Sequence, residues 1–329
     1  MKFLITGITG FAGPHLANLL HKMGHEVYGL IRNTNGMEND IRDVVSDEVY
    51  SNITFLYADL NNYRMIEKII KENQFDGVFH LAAQSHPPSS FIDPIGTFED
   101  NIMGSANLIQ AISDHQRECV FMFCSTSEVY GNIGIDGRKI NNNDKILPAN
   151  PYGVSKAAID LYVQERIENK KLRGFITRAF SHTGPRRGKN FSISSDAFQI
   201  ARIMKGMQEP VLKVGNLESV RVVLDVRDTV NAYYLAMIKE LESGGVNGQI
   251  FNVCGDTPHK MRFFTEKLLE ISKLNGVEQQ ICPKLYRPID IHYQHGDSSN
   301  LVELTNWKPI FTIDETMKDL LDYWCDKIK

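Results

Sequence analysis

Residues 4–13 read LITGITGFAG. Gly7, Gly10 and Gly13 stand at a G-x-x-G-x-x-G spacing between an apolar, β-branched run and a stretch patterned as a helix. A plain tight turn is the alternative for the glycines alone. Between a strand and a helix, however, the spacing points to a dinucleotide turn. Such a turn needs backbone without Cβ, close approach of a pyrophosphate, and a helix whose free N–H groups and positive dipole end face the phosphates. Gly7, Thr9, Gly10, Phe11, Ala12 and Gly13 are its candidate contacts.

Outward from this turn, short apolar runs alternate with helical stretches. Strands are expected at 2–6, 26–31, 53–57, 76–80, 119–124 and 174–180, and helices near 12–23, 62–73, 97–113 and 151–169. That alternation predicts parallel strands joined by helical crossovers, with the sheet covered on both faces. The fold class expected is α/β: a Rossmann-type doubly wound parallel sheet with a smaller, irregular C-terminal substrate-binding portion. After about residue 181 loops lengthen, and the runs VLKVG and QIFNV stand apart. The division expected is a cofactor domain with the catalytic residues over 1–180 and a mainly substrate-binding portion over 181–329, some segments of which return to the sheet. The Asn-rich patch 141–143 reads as a loop.

The second strand ends GLIRN. A carboxylate there would bind a ribose 2′-hydroxyl; Arg32 stands there instead and suits a 2′-phosphate, so NADP is favoured over NAD. A surface arginine without a role is the alternative. Asp59, in YADL after the third strand, could bond the adenine amino group or cap the helix that follows.

Composition sets bounds. The 329 residues are 42% hydrophobic and 23% charged, with net charge −4 and a pI near 6.2. This is ordinary globular composition, with nothing that calls for nucleic acid. The basic cluster Arg186–Arg187–Gly188–Lys189 could still hold a phosphate. Five cysteines show no metal-type or paired spacing, which suits reduced thiols and a cytoplasmic setting. The sequence opens on an apolar strand, so no signal peptide is expected, and no apolar run reaches the ~20 residues of a membrane span.

Residues 150–156 read NPYGVSK. Asn150 and Pro151 can start a helix on which Tyr152 and Lys156 share a face at i and i+4. An ammonium near a phenol favours the phenolate and gives a general base for an alcohol or sugar hydroxyl. Thr126, at a strand end upstream, could bond the same oxygen. Tyr-x-x-x-Lys by itself is common in helices; the strand-end hydroxyl strengthens it.

With GITGFAG, HLAAQS (80–85), STSEVYG (125–131) and YGVSK in place, the chain resembles the extended short-chain dehydrogenase/reductase family over nearly its whole length. Within that family it resembles the branch that modifies nucleotide-diphosphate sugars, above all GDP-mannose 4,6-dehydratases and the neighbouring GDP-4-keto-6-deoxymannose reductases. AAQSHPPSSF (82–91), SHTGPRRGKNF (181–191) and KVGNLESVRVVLDVRD (213–228) carry the closer likeness. Ser181 departs from it, standing where these enzymes usually have asparagine. The resemblance implies NADP contacts at Leu60, Leu81, Ala82, Ala83, Ser85, Tyr152, Lys156, His182 and Arg187. It implies GDP-sugar contacts at His86, Ser127, Glu128, Ser181, Val214, Arg221 and Arg287. Solvated charge is the alternative for each arginine.

Glu128 bears on which reaction runs; a carboxylate that caps or salt-bridges a neighbouring loop is its alternative, and some of the reductases also keep a glutamate here. Proton transfer with hydride transfer needs Thr126, Tyr152 and Lys156; loss of water also needs a carboxylate that takes a proton from C-5 and gives one to the departing 6-hydroxyl. The function expected is therefore a nucleotide-sugar 4,6-dehydratase, a lyase acting on GDP-mannose or a related GDP-sugar. The alternatives are the NADPH-dependent reductase, epimerisation or a heptose substrate and, more distantly, a non-catalytic NADP-binding module. No metal is called for, although His292 and His295 lie close together in sequence. The resemblance also implies a homodimer through the helices near 97–113 and 151–169, which carry Ile102, Leu108, Ile109 and Ile112, and Ala158, Ile159 and Tyr162. A tetramer is the alternative state, and the stretch 33–51 reads as short for its contacts.

Overall fold

The computed structural model describes residues 1–32 and 41–328. Residues 33–40, part of the stretch weighed for a tetramer contact, lie outside the described residues.

Seven parallel strands form the main sheet. β1 (Lys2–Thr6), β2 (Glu26–Ile31), β3 (Ile53–Tyr57), β4 (Gly77–His80), β5 (Val120–Thr126) and β6 (Arg173–Ala179) are followed much later by the strand Ile250–Val253. The spatial order is Ile250–Val253, β6, β5, β4, β1, β2, β3, so the chain reverses its direction of growth between β1 and β4. A crevice opens at such a switch point, outside the carboxyl ends of the strands. QIFNV thus does not stand apart: its Ile250–Val253 pairs with Ile176–Ala179.

The strands are apolar on both faces because helices cover both. On β5, Val120 and Met122 join one core cluster with Phe3, Ile5 and Trp307, while Phe121 and Phe123 join another with Leu108, Ile112 and Ile159. Alternation along one strand thus feeds two layers. A third cluster lies beyond the sheet, where Ser192–Met204, Met261–Ser272 and Ile313–Lys327 pack together through Ala197, Ile200, Phe264, Leu268 and Leu320.

Most elements fall within a residue or two of their expected bounds. The helix expected near 97–113 is instead three joined pieces: Pro94–Phe98, a π-helical turn Glu99–Met103 and Gly104–His115. Its Leu108, Ile109 and Ile112, like Ile159 of the helix Pro151–Glu168, are spent on the sheet. The large apolar side chains left exposed there are Ile95, Met103, Val154 and Leu161.

Candidate active site

The glycine turn is built as a cradle. Gly7 has φ +75°, and a Cβ there would come within 2.8 Å of the Ala82 nitrogen. A Cβ on Gly13 would come within 2.5 Å of the Gly7 carbonyl oxygen, so the helix Ala12–Lys22 can leave this close to β1 only from a glycine. No side chain caps that helix and its first turn holds no acid, so its free N–H groups and dipole end face the crevice. Gly10, Phe11, Ala12, Leu81, Ala82, Ala83 and Ser85 join Gly7 and Gly13 along one wall of a cleft of about 460 Å³.

A buried chain of hydrogen bonds runs from this wall to the helix Pro151–Glu168, which carries Tyr152 and Lys156. The Ala82 N–H donates to Thr6 Oγ1 (3.2 Å), and the Thr6 hydroxyl donates to His80 Nδ1 (2.6 Å). His80 Nε2 donates to Ser105 Oγ (2.8 Å), and Ser105 donates to the Asn101 carbonyl (2.5 Å). Asn101 Nδ2 donates to Ser155 Oγ (2.9 Å), and Ser155 donates to the Tyr152 carbonyl (2.8 Å). The amide at one end and the carbonyls along the way set the direction of every donor. Burial holds His80 down at about 3, with Lys156 acting the same way, so it is the neutral imidazole this chain requires.

Asn101 was not among the expected site residues. It sits in the π-helical turn, where one extra residue re-aims a side chain. Its Oδ1 accepts from the Gln84 N–H (2.7 Å) and its Nδ2 also reaches the Gln84 carbonyl (3.0 Å). No periodicity marks it, because the π turn breaks the pattern.

Thr126, Tyr152 and Lys156 meet at the end of β5, and all three are nearly buried. Asn150 caps the helix by accepting from the Gly153 N–H at 2.7 Å, with Pro151 at its first position, and this places Tyr152 in the first turn. Burial pushes Lys156 down to about 8, and its ammonium lies 4.3 Å from the centre of the Phe123 ring. The Tyr152 phenol was expected to be lowered by its lysine. In the structure burial dominates and pushes it up, with the Thr126 hydroxyl acting the other way.

Glu128 stands on the 3₁₀ turn Ser127–Tyr130 that follows β5, where it is 8% exposed and lines the same cleft. Its Oε2 accepts from Asn150 Nδ2 at 2.6 Å, and its Oε1 accepts from Arg287 Nη1 at 3.2 Å. Asn150 therefore caps the helix that carries the phenol and holds the carboxylate. Ser127 is clamped by Gln294, which accepts from its hydroxyl and donates to its carbonyl, each at 3.2 Å.

Arg187 is the second focus of charge. Its guanidinium lies 3.4 Å from the centre of the Phe191 ring and 4.7 Å from that of Phe11, and burial pushes it down to about 10. Among the described residues no carboxylate pairs with it. His182 stacks on Phe11 and donates from Nδ1 to the Phe180 carbonyl (2.9 Å); burial and Arg187 together hold it near 4. His86 donates from Nε2 to the Asn190 carbonyl (3.1 Å) and ties two cleft loops together. Arg221 faces Asp290 at 3.4 Å, and Ser181 lines the cleft while its carbonyl accepts from the Leu224 N–H.

Five of the expected contacts do not line this cleft. Val214 is 1% exposed in the helical core; strand alternation gives its neighbours Lys213 and Gly215 to the cleft instead. Thr9 lies behind the turn, its carbonyl accepting from Arg186 Nη2 (2.9 Å). Arg32 follows β2, mostly exposed, 3.3 Å from an oxygen of Asp100 and 4.0 Å from one of Asp59. Asp59 is not the helix cap; it accepts from the Asn61 N–H (2.9 Å), while Asn62 caps Tyr63–Glu72. The Leu60 carbonyl is held by Asn107 (2.9 Å).

A dinucleotide fits these residues: a Cβ would fill the cradle, the helix end is free, and a buried cation awaits an anion. The fold and this site agree with what comparison finds. Residues 4–320 match the family model for GDP-mannose 4,6 dehydratase. GDP-6-deoxy-D-mannose reductase of Pseudomonas aeruginosa is 30% identical over 100% of this chain and 98% of its own. Human GDP-mannose 4,6 dehydratase is 29% identical over 97% of this chain and 90% of its own. The solved structure of RMD from Pseudomonas aeruginosa complexed with NADPH superposes with a TM-score of 0.80 at 28% identity, covering 99% of each chain.

Proposed function

The chain belongs to the GDP-mannose 4,6-dehydratase family, and from that premise we propose that it is an NADP-dependent lyase that removes water from GDP-mannose or a related GDP-sugar. The observation that carries this reading is the Glu128 carboxylate, buried in one cleft with Tyr152 and held by Asn150 and Arg287.

The glycine turn and Arg32 would hold NADP, which would supply a reversible hydride acceptor for the C-4 and C-6 chemistry of the sugar. Tyr152 takes the proton of the 4-hydroxyl, with Thr126 bonding the same oxygen. Lys156 supplies positive charge that steadies the phenolate, and a cationic cofactor ring adds to it. A ketone at C-4 acidifies the proton on C-5. Glu128 removes that proton and then protonates the 6-hydroxyl as water leaves; as hydride reaches C-6, C-5 regains one proton, matched by the one Tyr152 drew from the 4-hydroxyl, so the sum is loss of one water. One carboxyl group thus serves as base and then acid, and its two fixed hydrogen bonds keep it aimed at adjacent carbons. Arg187 and Arg221 take the diphosphate and cofactor phosphates.

The reductase is the second reading, favoured by the 30% identity to the Pseudomonas aeruginosa enzyme. One incubation separates them: purified protein, GDP-mannose and no added reductant, followed by mass spectrometry. Loss of one water, without net change in NADPH absorbance, is expected. No reaction with GDP-mannose, together with NADPH consumption on the 4-keto-6-deoxy sugar, would install the reductase. Glu128→Gln should keep cofactor and GDP binding but lose about 10²–10⁴ in turnover. Ile95, Met103, Val154 and Leu161 remain as exposed apolar side chains on the two helices, which supports a homodimer. All five cysteines are free thiols, which suits a cytoplasmic setting, and no helix among the described residues is long and apolar enough to cross a membrane.

A further inference from the structure

Asp196 has no role in the chemistry above, yet it lines the same cleft at 6% exposure. It stands on the helix Ser192–Met204, and its Oδ2 accepts from the Thr265 hydroxyl at 2.7 Å. Thr265 is its hydrogen-bond partner among the described residues, and no cation acts on it, so neither Arg187 nor Arg221 is its counter-ion. The cleft wall at this end is apolar: Ile193, Leu217 and Val223 belong to the helical core cluster and Met261 packs against it, and all four line the cleft. A carboxyl group in such a wall is costly unless donors meet it. Burial accordingly pushes it up to about 7.

We propose that Asp196, braced by Thr265, reads the nucleotide base of the substrate and selects guanine. The inference rests on the nucleotide-sugar reading above. A flat ring between apolar side chains suits a base better than a ribose, whose polar ring gains little from such walls, and the acid at its edge would repel a phosphate. Guanine presents two adjacent donors, N1–H and the 2-amino group, to the two oxygens of one carboxylate. Uracil and thymine present a single N–H between two carbonyl oxygens, and those oxygens would face the carboxylate. Adenine sets one donor beside an acceptor. Charge-assisted bonds of this kind separate ligands by roughly ten- to a hundredfold when one partner is missing.

The test is calorimetric titration of the NADP-loaded full chain with GDP, inosine diphosphate and UDP. Inosine diphosphate differs from GDP only in lacking the 2-amino group. Wild-type protein should bind GDP about tenfold or more tighter than inosine diphosphate, and tighter still than UDP. Asp196→Asn should weaken GDP and collapse the difference between GDP and inosine diphosphate. Equal wild-type affinities for GDP and inosine diphosphate would overturn the assignment without recourse to any variant. So would a GDP preference that survives Asp196→Asn. Wild-type protein that binds none of the three diphosphates would instead remove the nucleotide-sugar reading itself.

Discussion

Replacing Arg187 by methionine should make the ligand-free protein more stable and its ligand complex weaker. The guanidinium is buried between Phe11 and Phe191 with no carboxylate on it among the described residues. Lowering it from 12.5 to about 10 corresponds to a desolvation cost of roughly 3 kcal/mol, at about 1.4 kcal/mol per pH unit. The guanidinium keeps its charge at neutral pH folded or unfolded, so the cost is present throughout the physiological range. Its two ring contacts return about 1–2 kcal/mol. Methionine keeps the rings covered without the charge, so Arg187→Met should gain about 1–2 kcal/mol, a rise in Tm of about 2–4 °C. Phosphate pairing is lost at the same time, and charge-assisted bonds of this kind are worth about 1.5–3 kcal/mol. Wild-type protein with NADP and GDP together at about a hundred times their Kd gains about 2.7 kcal/mol for each ligand, and the variant should forfeit about half or more of one such increment. Scanning calorimetry with and without ligands reads both effects. A variant with a lower ligand-free Tm and an undiminished ligand shift would refute the view that this arginine is a strained, waiting anion site.

Lys156 gives a pH dependence. Its folded value, about 8, lies below the ordinary lysine value of 10.5. Below about pH 8 the ammonium is charged in both states and its burial cost is fully present; that cost fades as pH rises toward 10.5. Urea titrations in that window should show wild-type stability rising relative to Lys156→Met, and parallel curves would contradict this. Arg32→Glu should weaken NADP by about tenfold and favour NAD, because an acid at the end of β2 repels the 2′-phosphate and bonds the 2′-hydroxyl; fluorescence titration with each cofactor checks it. Asn101→Ala strands the Gln84 N–H and cuts the chain to Ser155, so about 1–3 kcal/mol of stability should go. If Asn101 positions the phenol, kcat should fall with KM for the sugar little changed; an unaltered kcat would leave it a purely structural brace.

By itself the sequence determined what local chemistry determines. The glycine spacing in LITGITGFAG, the alternation of apolar strands with helices and the i, i+4 pair Tyr152 and Lys156 are short-range patterns, because turn sterics and helix geometry act over a few residues. They were enough to specify a parallel α/β sheet, its glycine turn and the helix that carries Tyr152 and Lys156. The tertiary structure decided what depends on distant partners. Asn150 and Arg287 converge on Glu128 from 22 and 159 positions away, and no local pattern records that meeting. No pattern in the sequence marks Asp196, and Arg187 stands out there only as a candidate phosphate contact; the packing of Phe11, Phe191 and the helical cluster around the cleft is what takes water from them. Val214 misled for the opposite reason: it lies in a segment that resembles a binding loop, but strand alternation turns its side chain into the core. Which charges lose water is a property of the closed fold.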